Sequence, residues 1–279
     1  MARTIDTVYN EIVTEAQNYD ELNAIDTTSR VSRFHLLIYI VAVAIVIFEK
    51  ILDQHIVEVD EIIFEQKIGT DRWHRNKALD FQYGFDLLED DDQFDNGTAT
   101  DDEIADSKII KHAAVVQSET RSSIIIKVAT ENNEVLEPIT DEQLVAFTAY
   151  MEEVSFAGTQ FTVINEQADL LVPSIRIYRD PLVLNETGQN ILTGEQSVEI
   201  AITNYLKELN FNGELIIQSL VDALQLVDGV QVVHVTSLQT AQYSSGLGAY
   251  EDVSPISVRH TAYSGHFKVE DFSGMSYVV

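Results

Sequence analysis

The chain has 279 residues, no cysteine, and 17 basic against 46 acidic side chains, for a formal charge of −29. That length supports two or three units with a sizeable core, and the lack of cysteine removes thiol catalysis, thiolate zinc sites and disulfide frameworks while leaving the compartment open. The acidic excess argues against nucleic acid or an anionic membrane as the main partner, because phosphate binding needs clustered Lys and Arg; it fits a solubilising surface or an adaptation to salt.

Residues 5–16 place Ile5, Val8, Tyr9, Ile12, Val13 and Ala16 on one face, which predicts a short amphipathic helix. Thr27, Thr28 and Ser29 then offer N-caps for a second helix, and no Gly or Pro follows until Gly69. About forty helical residues make a rod of roughly 60 Å. Along it Val31, Ile38, Ile45, Leu52 and Val59 fall at heptad position a, and Phe34, Val41, Phe48, His55 and Ile62 at d. Only His55 in that stripe is polar, and the 3, 4, 3, 4 spacing is the pattern of helices that supercoil around one another. These ten residues are the expected oligomer interface. His55 sets register, titrates in the bundle, or occupies a tolerated edge position.

The rival reading of this stretch is a membrane anchor, since residues 34–48 are apolar on every face. That run falls short of the about 20 residues a crossing needs, contains His35, and is closed by Glu49 and Lys50, while the heptad seam continues beyond them. A secretory signal is also disfavoured, because the apolar run starts some thirty residues in and lacks a basic n-region.

After Gly69 the only tryptophan, Trp73, stands beside Arg72, His74, Arg75 and Lys77. Such a cluster suits anion or base binding. The preferred expectation is a turn at Gly69-Thr70 and a returning helix that brings Trp73, Leu79, Phe81 and Tyr83 near the long helix, with the basic residues meeting acidic neighbours. Residues 89–103 read EDDDQFDNGTATDDE, expected as a solvated flexible linker. They partly imitate a calcium loop, with Asp92 at position 1, Asn96 at 5 and Glu103 at 12, but Phe94 stands where position 3 needs an oxygen ligand. The sequons at Asn96 and Asn185 carry meaning only on a secretory route.

Beyond the linker, residues 122–130 read as a strand, Thr140 as the N-cap of a helix reaching about Val154, and residues 160–165 as a second strand. A third strand over 168–178 has Leu170 and Val172 in one phase and Ile175 and Ile177 in the other. Pro173 marks the change, predicting a bulge or an edge position. A helix over 195–209 buries Val198, Ala201, Ile202, Tyr205, Leu206 and Leu209. A turn at Asn212-Gly213, a short helix through Leu220, Ala223 and Leu224, a stop at Gly229 and a strand over 230–238 follow. The tail from 254 to 279 reads as short strands ending at the surface. The expected class is α+β.

Enzyme signatures are sparse. Glu58-Val59-Asp60 imitates the paired carboxylates of a nucleotidyltransferase, but on a helix positions i and i+2 diverge by about 200° and no Gly-Ser turn precedes them. There is no P-loop, GxGxxG, HExxH or GxSxG, and no pair of histidines at i, i+4. His260 and His266 are expected as surface or interface residues, and Gly246-Leu247-Gly248 as a loop hinge. The chain is therefore read as no enzyme, with no catalytic, metal-binding or cofactor-binding residues and no cofactor.

The run from Ile202 to Val235 resembles the C-terminal part of the baseplate J-like family of tailed phages and contractile injection systems. A helix with Tyr205-Leu206, a turn with Gly213 before a strand-like run, a short helix from Leu220 to Leu224, and Gly229-Val230 leading into a strand carry the likeness by their order. The RDPLVL and RWHRNKALDFQYGF segments are similar to the compact form carried by phages and prophages of Bacteroidetes. The resemblance covers most of the chain from about residue 30. It implies a baseplate wedge subunit in the virion tail, assembled in the host cytoplasm. Its N-terminal helix would join two copies of the chain and another wedge protein in a three-helix bundle, and its C-terminal domains would contact neighbouring wedges around the tail hub or sheath-initiator proteins. Nucleic acid and membrane are not expected partners. The expected organisation is an amphipathic helix (1–28), a bundle helix with its returning helix (29–88), an acidic linker (89–106), and two small α/β sandwich-like domains (107–182 and 183–279).

Overall fold

The computed structural model describes residues 2–20, 22, 32–65, 67–89, 91–118 and 123–279. It is an α+β protein, 37% helical and 26% strand. Its contacts separate Met1–Ile68 from Gly69–Val279.

The first unit is a pair of helices, α1 (Ile5–Ala16) and α2 (Arg33–Glu65). Thr4 caps α1 by accepting from the Thr7 N–H. The helices run antiparallel: Arg3 at the start of α1 reaches Glu49, while Tyr9, two turns on, hydrogen-bonds His35 at 2.7 Å. Between them Val8, Ala42 and Val46 are buried, with Ile5, Tyr9, Ile12 and Ile45 packed around. Ala42 is fully buried in this contact. Thr27, Thr28, Ser29 and Val31 lie outside the described residues.

The second unit begins with α3 (Asp71–Asp80), capped by Thr70 on the Trp73 N–H. This helix packs on strands β1 (His112–Gln117) and β2 (Ser123–Asn132). Trp73 meets Phe156 in the same unit, and Phe81 meets Phe147 and Tyr150. The expected grouping of residues 29–88 is therefore corrected: the apolar side chains of 73–81 find their core in the sheet that follows. Of the basic cluster, Lys77 meets an acidic neighbour, its Nζ 2.6 Å from Asp92, while Arg75 reaches Asn76 and His74 the Thr70 carbonyl.

The acidic segment is also more than a solvated linker. Phe94 stacks on Tyr150 and makes a bridge with Leu87, and helix α4 (Asp101–Ser107) starts on a reciprocal capping box between Thr100 and Glu103. Phe94 anchors a run whose described carboxylates are exposed.

β2 turns through Asn133 and Glu134, both at positive φ, into β3 (Val135–Glu137), a two-residue hairpin. Helix α5 (Asp141–Val154), opened by a Thr140/Gln143 capping box, carries the chain to β4 (Gln160–Ile164), which pairs parallel to β2. Parallel pairing needs such a crossover. Ile126, Val128, Ile139, Phe147 and Met151 fill the space between sheet and helices.

β5 (Asp169–Arg179) leads through α6 (Ser197–Glu208), β6 (Glu214–Ile216) and α7 (Ile217–Gln225) to β7 (Val230–Ala241). Beyond it come a hairpin of β8 (Tyr243–Ser244) and β9 (Ala249–Tyr250), then β10 (Ser254–Pro255), β11 (Arg259–Thr261), β12 (Phe267–Lys268) and β13 (Ser276–Val278). β5 pairs antiparallel with β7 on one side and parallel with β12 and β13 on the other; β10 flanks β7, and β11 pairs with β6. The division at 182/183 is thereby corrected, since β5 is the centre of the second sheet. Leu171, Ile175 and Ile177 of β5 pack with Val198 and Ile202 of α6 and Leu220 and Leu224 of α7. The tail does form short strands, but Phe267 and Ala262 are buried in this core rather than at the surface.

Pro173 neither changes the phase of β5 nor puts it at an edge. Leu171, Pro173, Ile175 and Ile177 all bury on one face, and the register shifts against β7 leave Thr236 and Gln231 of β7 as the extra residues. Pro173 faces Leu238, whose carbonyl accepts from Ile256 on the far side of β7. This is a pair whose backbone groups point away from each other, so the N–H that proline lacks would have pointed out of the β5–β7 ladder. On that side β12 stops opposite Leu170 and β13 starts opposite Arg176.

Candidate functional site

Of the ten seam residues, Val31 lies outside the described residues. Ile38 and Ile45 are half-buried; Phe34, Val41, Phe48, Leu52, His55, Val59 and Ile62 are exposed. The structure thus places the stripe along one helix and leaves most of it uncovered, with Ile45 packed against the α1 side. What α1 covers is a neighbouring stripe of α2 containing His35, Ala42, Val46, Glu49 and Asp53. The signal for that pairing was present in the apolar face of residues 5–12 and in Ala42, a small residue in a run of large ones.

The exposed apolar surface of α2 is broader than the heptad stripe. Leu37, Ile40, Ile47, Ile51, Ile56 and Ile63 are each more than half exposed. By length and composition Arg33–Phe64 is long and apolar enough to cross a membrane, and 11% of its most apolar window is buried. Near the centre of that helix, however, stand Glu49, Lys50 and Asp53. Glu49 accepts from Arg3 Nε at 2.8 Å and from the Arg3 backbone N–H at 2.9 Å, hydrogen bonds that hold its carboxyl below the ordinary carboxylate value.

A second site lies in the other unit. The face of the β1–β2–β4 sheet turned away from α5 carries Val116, Ile125, Lys127 and Ile164, and together with the ends of β5 and β7 and residues 251–263 it lines a cleft of about 850 Å³. Lys127 is 8% exposed and donates to the Ala262 carbonyl at 2.6 Å. Burial pushes its ammonium below the ordinary lysine value, against the pull of Asp169. Asp169, 1% exposed, accepts from the backbone N–H of Tyr263 at 2.7 Å and of Ser264 at 3.0 Å. Neither residue was expected as functional. A lysine inside the apolar run SSIIIKVAT was the one available signal, and nothing near Asp169 marked it.

The remaining candidates are placed as follows. Glu58 and Asp60 lie two positions apart on α2. Asp92 pairs with Lys77, Glu103 accepts from Thr100, and among the described residues no group of three or more His, Asp or Glu is arranged to hold a metal. Gly246 to Gly248 form the turn between β8 and β9, closed by Gly248 N–H on the Ser244 carbonyl. His266, expected at the surface or in an interface, is half-buried against Phe211 with Nε2 donating to the Leu136 carbonyl at 3.3 Å, and burial lowers its imidazole. No protein-family model matches the sequence, and no curated protein does.

Proposed function

We propose that this chain is a structural subunit of a phage tail baseplate wedge, joined through α2 to helices of further copies and of other wedge proteins. The reading rests on the order of elements that resembles the baseplate J-like family, and above all on one observation: α1 packs on a stripe of α2 that includes Ile45 of the heptad, and leaves seven other heptad residues exposed. Burying the six exposed apolar stripe residues (Phe34, Val41, Phe48, Leu52, Val59, Ile62) against partner helices is worth on the order of 10 kcal/mol before ordering costs. Apolar patches of this extent mark interaction surfaces.

The membrane reading is favoured by the apolar character of residues 34–48 on every face. Against it, Glu49 and Lys50 close that run, and the exposed apolar residues Leu52, Ile56, Val59, Ile62 and Ile63 continue beyond them. Centring the whole of α2 in the bilayer would carry Glu49, Lys50 and Asp53 near its midplane, and centring residues 34–48 would leave the apolar residues from Ile51 to Phe64 outside it. Assembly through partner helices covers apolar residues on both sides of Glu49 and Lys50.

The test is co-expression with the other wedge genes, followed by size-exclusion chromatography and limited proteolysis of α2. The expected result is a complex in which α2 is protected, lost on Phe48→Glu with Leu52→Glu. These two are chosen because both are exposed, whereas Ile45 also touches α1. A complex that survives both substitutions, or a chain that enters liposomes and forms no complex, overturns the reading.

A further inference from the structure

The chemistry of the cleft at Lys127 is lopsided. An ammonium has three N–H donors, yet among the described residues Lys127 Nζ has one hydrogen-bond partner, the Ala262 carbonyl. The nearby carboxylate of Asp169 supplies countercharge, but its two oxygens accept from backbone N–H groups. A desolvated ammonium with donors to spare, lining a cleft, favours a charged acceptor. Farther out, Glu251 and Asp252 are exposed on the same cleft, so a wholly anionic ligand is repelled and a positive outer end is attracted. Val116, Ile125 and Ile164 give the wall an aliphatic lining.

We propose that this cleft binds a zwitterionic aliphatic molecule, its carboxylate on Lys127, its hydrocarbon body against Val116, Ile125 and Ile164, and its ammonium toward Glu251 and Asp252. A monocarboxylate matches the single ammonium better than a phosphate dianion does, because Asp169 already stands beside it.

Isothermal calorimetry on the full chain with 6-aminohexanoate, hexanoate and hexylamine tests this. The expected result is a saturable isotherm for 6-aminohexanoate, binding about fivefold weaker for hexanoate, and none for hexylamine. Lys127→Met weakens 6-aminohexanoate by about tenfold or more. Glu251→Gln with Asp252→Asn brings it down to the level of hexanoate; both residues are exposed, so this variant keeps the test decisive if Lys127→Met fails to fold. No saturable binding by 6-aminohexanoate, hexylamine binding as well as 6-aminohexanoate, or an affinity unchanged in a folded variant overturns the proposal. Binding retained by the Phe48→Glu, Leu52→Glu chain separates this site from assembly.

Discussion

Gly274 lies against Pro173, so close that a Cβ at 274 would stand 2.4 Å from the Pro173 carbonyl oxygen and 3.0 Å from Ser174 Oγ. The chain between β12 and β13 passes the one stretch of β5 where no parallel strand pairs, and it does so at the proline. The proline fits there because it has no N–H to leave unpaired, and the glycine fits because it has no side chain to hold the two backbones apart.

Gly274→Ala is expected to destabilise the second unit by about 1–3 kcal/mol, the cost of forcing a methyl group into a packed backbone contact. Denaturant unfolding followed by circular dichroism measures it. An unchanged midpoint would show that the tail is free to move off β5.

Phe94 is expected to hold the acidic segment in place. It stacks on Tyr150 at 5.1 Å between ring centroids and also meets Phe81. Phe94→Ala costs about 1–3 kcal/mol for the lost half-buried ring and opens residues 89–100 to proteolysis. Equal cleavage rates in the two proteins would return the segment to a solvated linker.

Docking of α1 is expected to weaken in acid. The Arg3 hydrogen bonds lower the Glu49 carboxyl below its ordinary value of 4.5, so their contribution is present above that pH and is lost as the pH falls through the lower folded value. Protection of α1 amides from hydrogen exchange, corrected for intrinsic rates, is greater in the wild type than in Glu49→Gln at pH 6. That difference closes on acidification below 4.5. A constant difference would remove Glu49 from the docking.

Elements whose signals are local could be read along the chain alone. The bounds of α1, the Thr140 cap and the end of α5, the turn at Asn212 and the stop at Gly229 follow from periodicity, caps and positive φ within a few residues of chain. The stripe on α2 was legible for the same reason, as a spacing along a single helix. Which elements share a core was decided only by the tertiary structure. Trp73 and Phe81 belong to the following sheet, Phe94 to Tyr150, and β5 to β7 rather than to the strands before it, because side-chain burial is settled by partners distant in sequence. Pro173 shows the difference most plainly: its ring states that an N–H is missing, but only the register with Leu238 and the gap between β12 and β13 decide that none is needed. The cleft at Lys127 is of the same kind, drawing its groups from β2, β5 and the C-terminal segment, whose meeting no local pattern encodes.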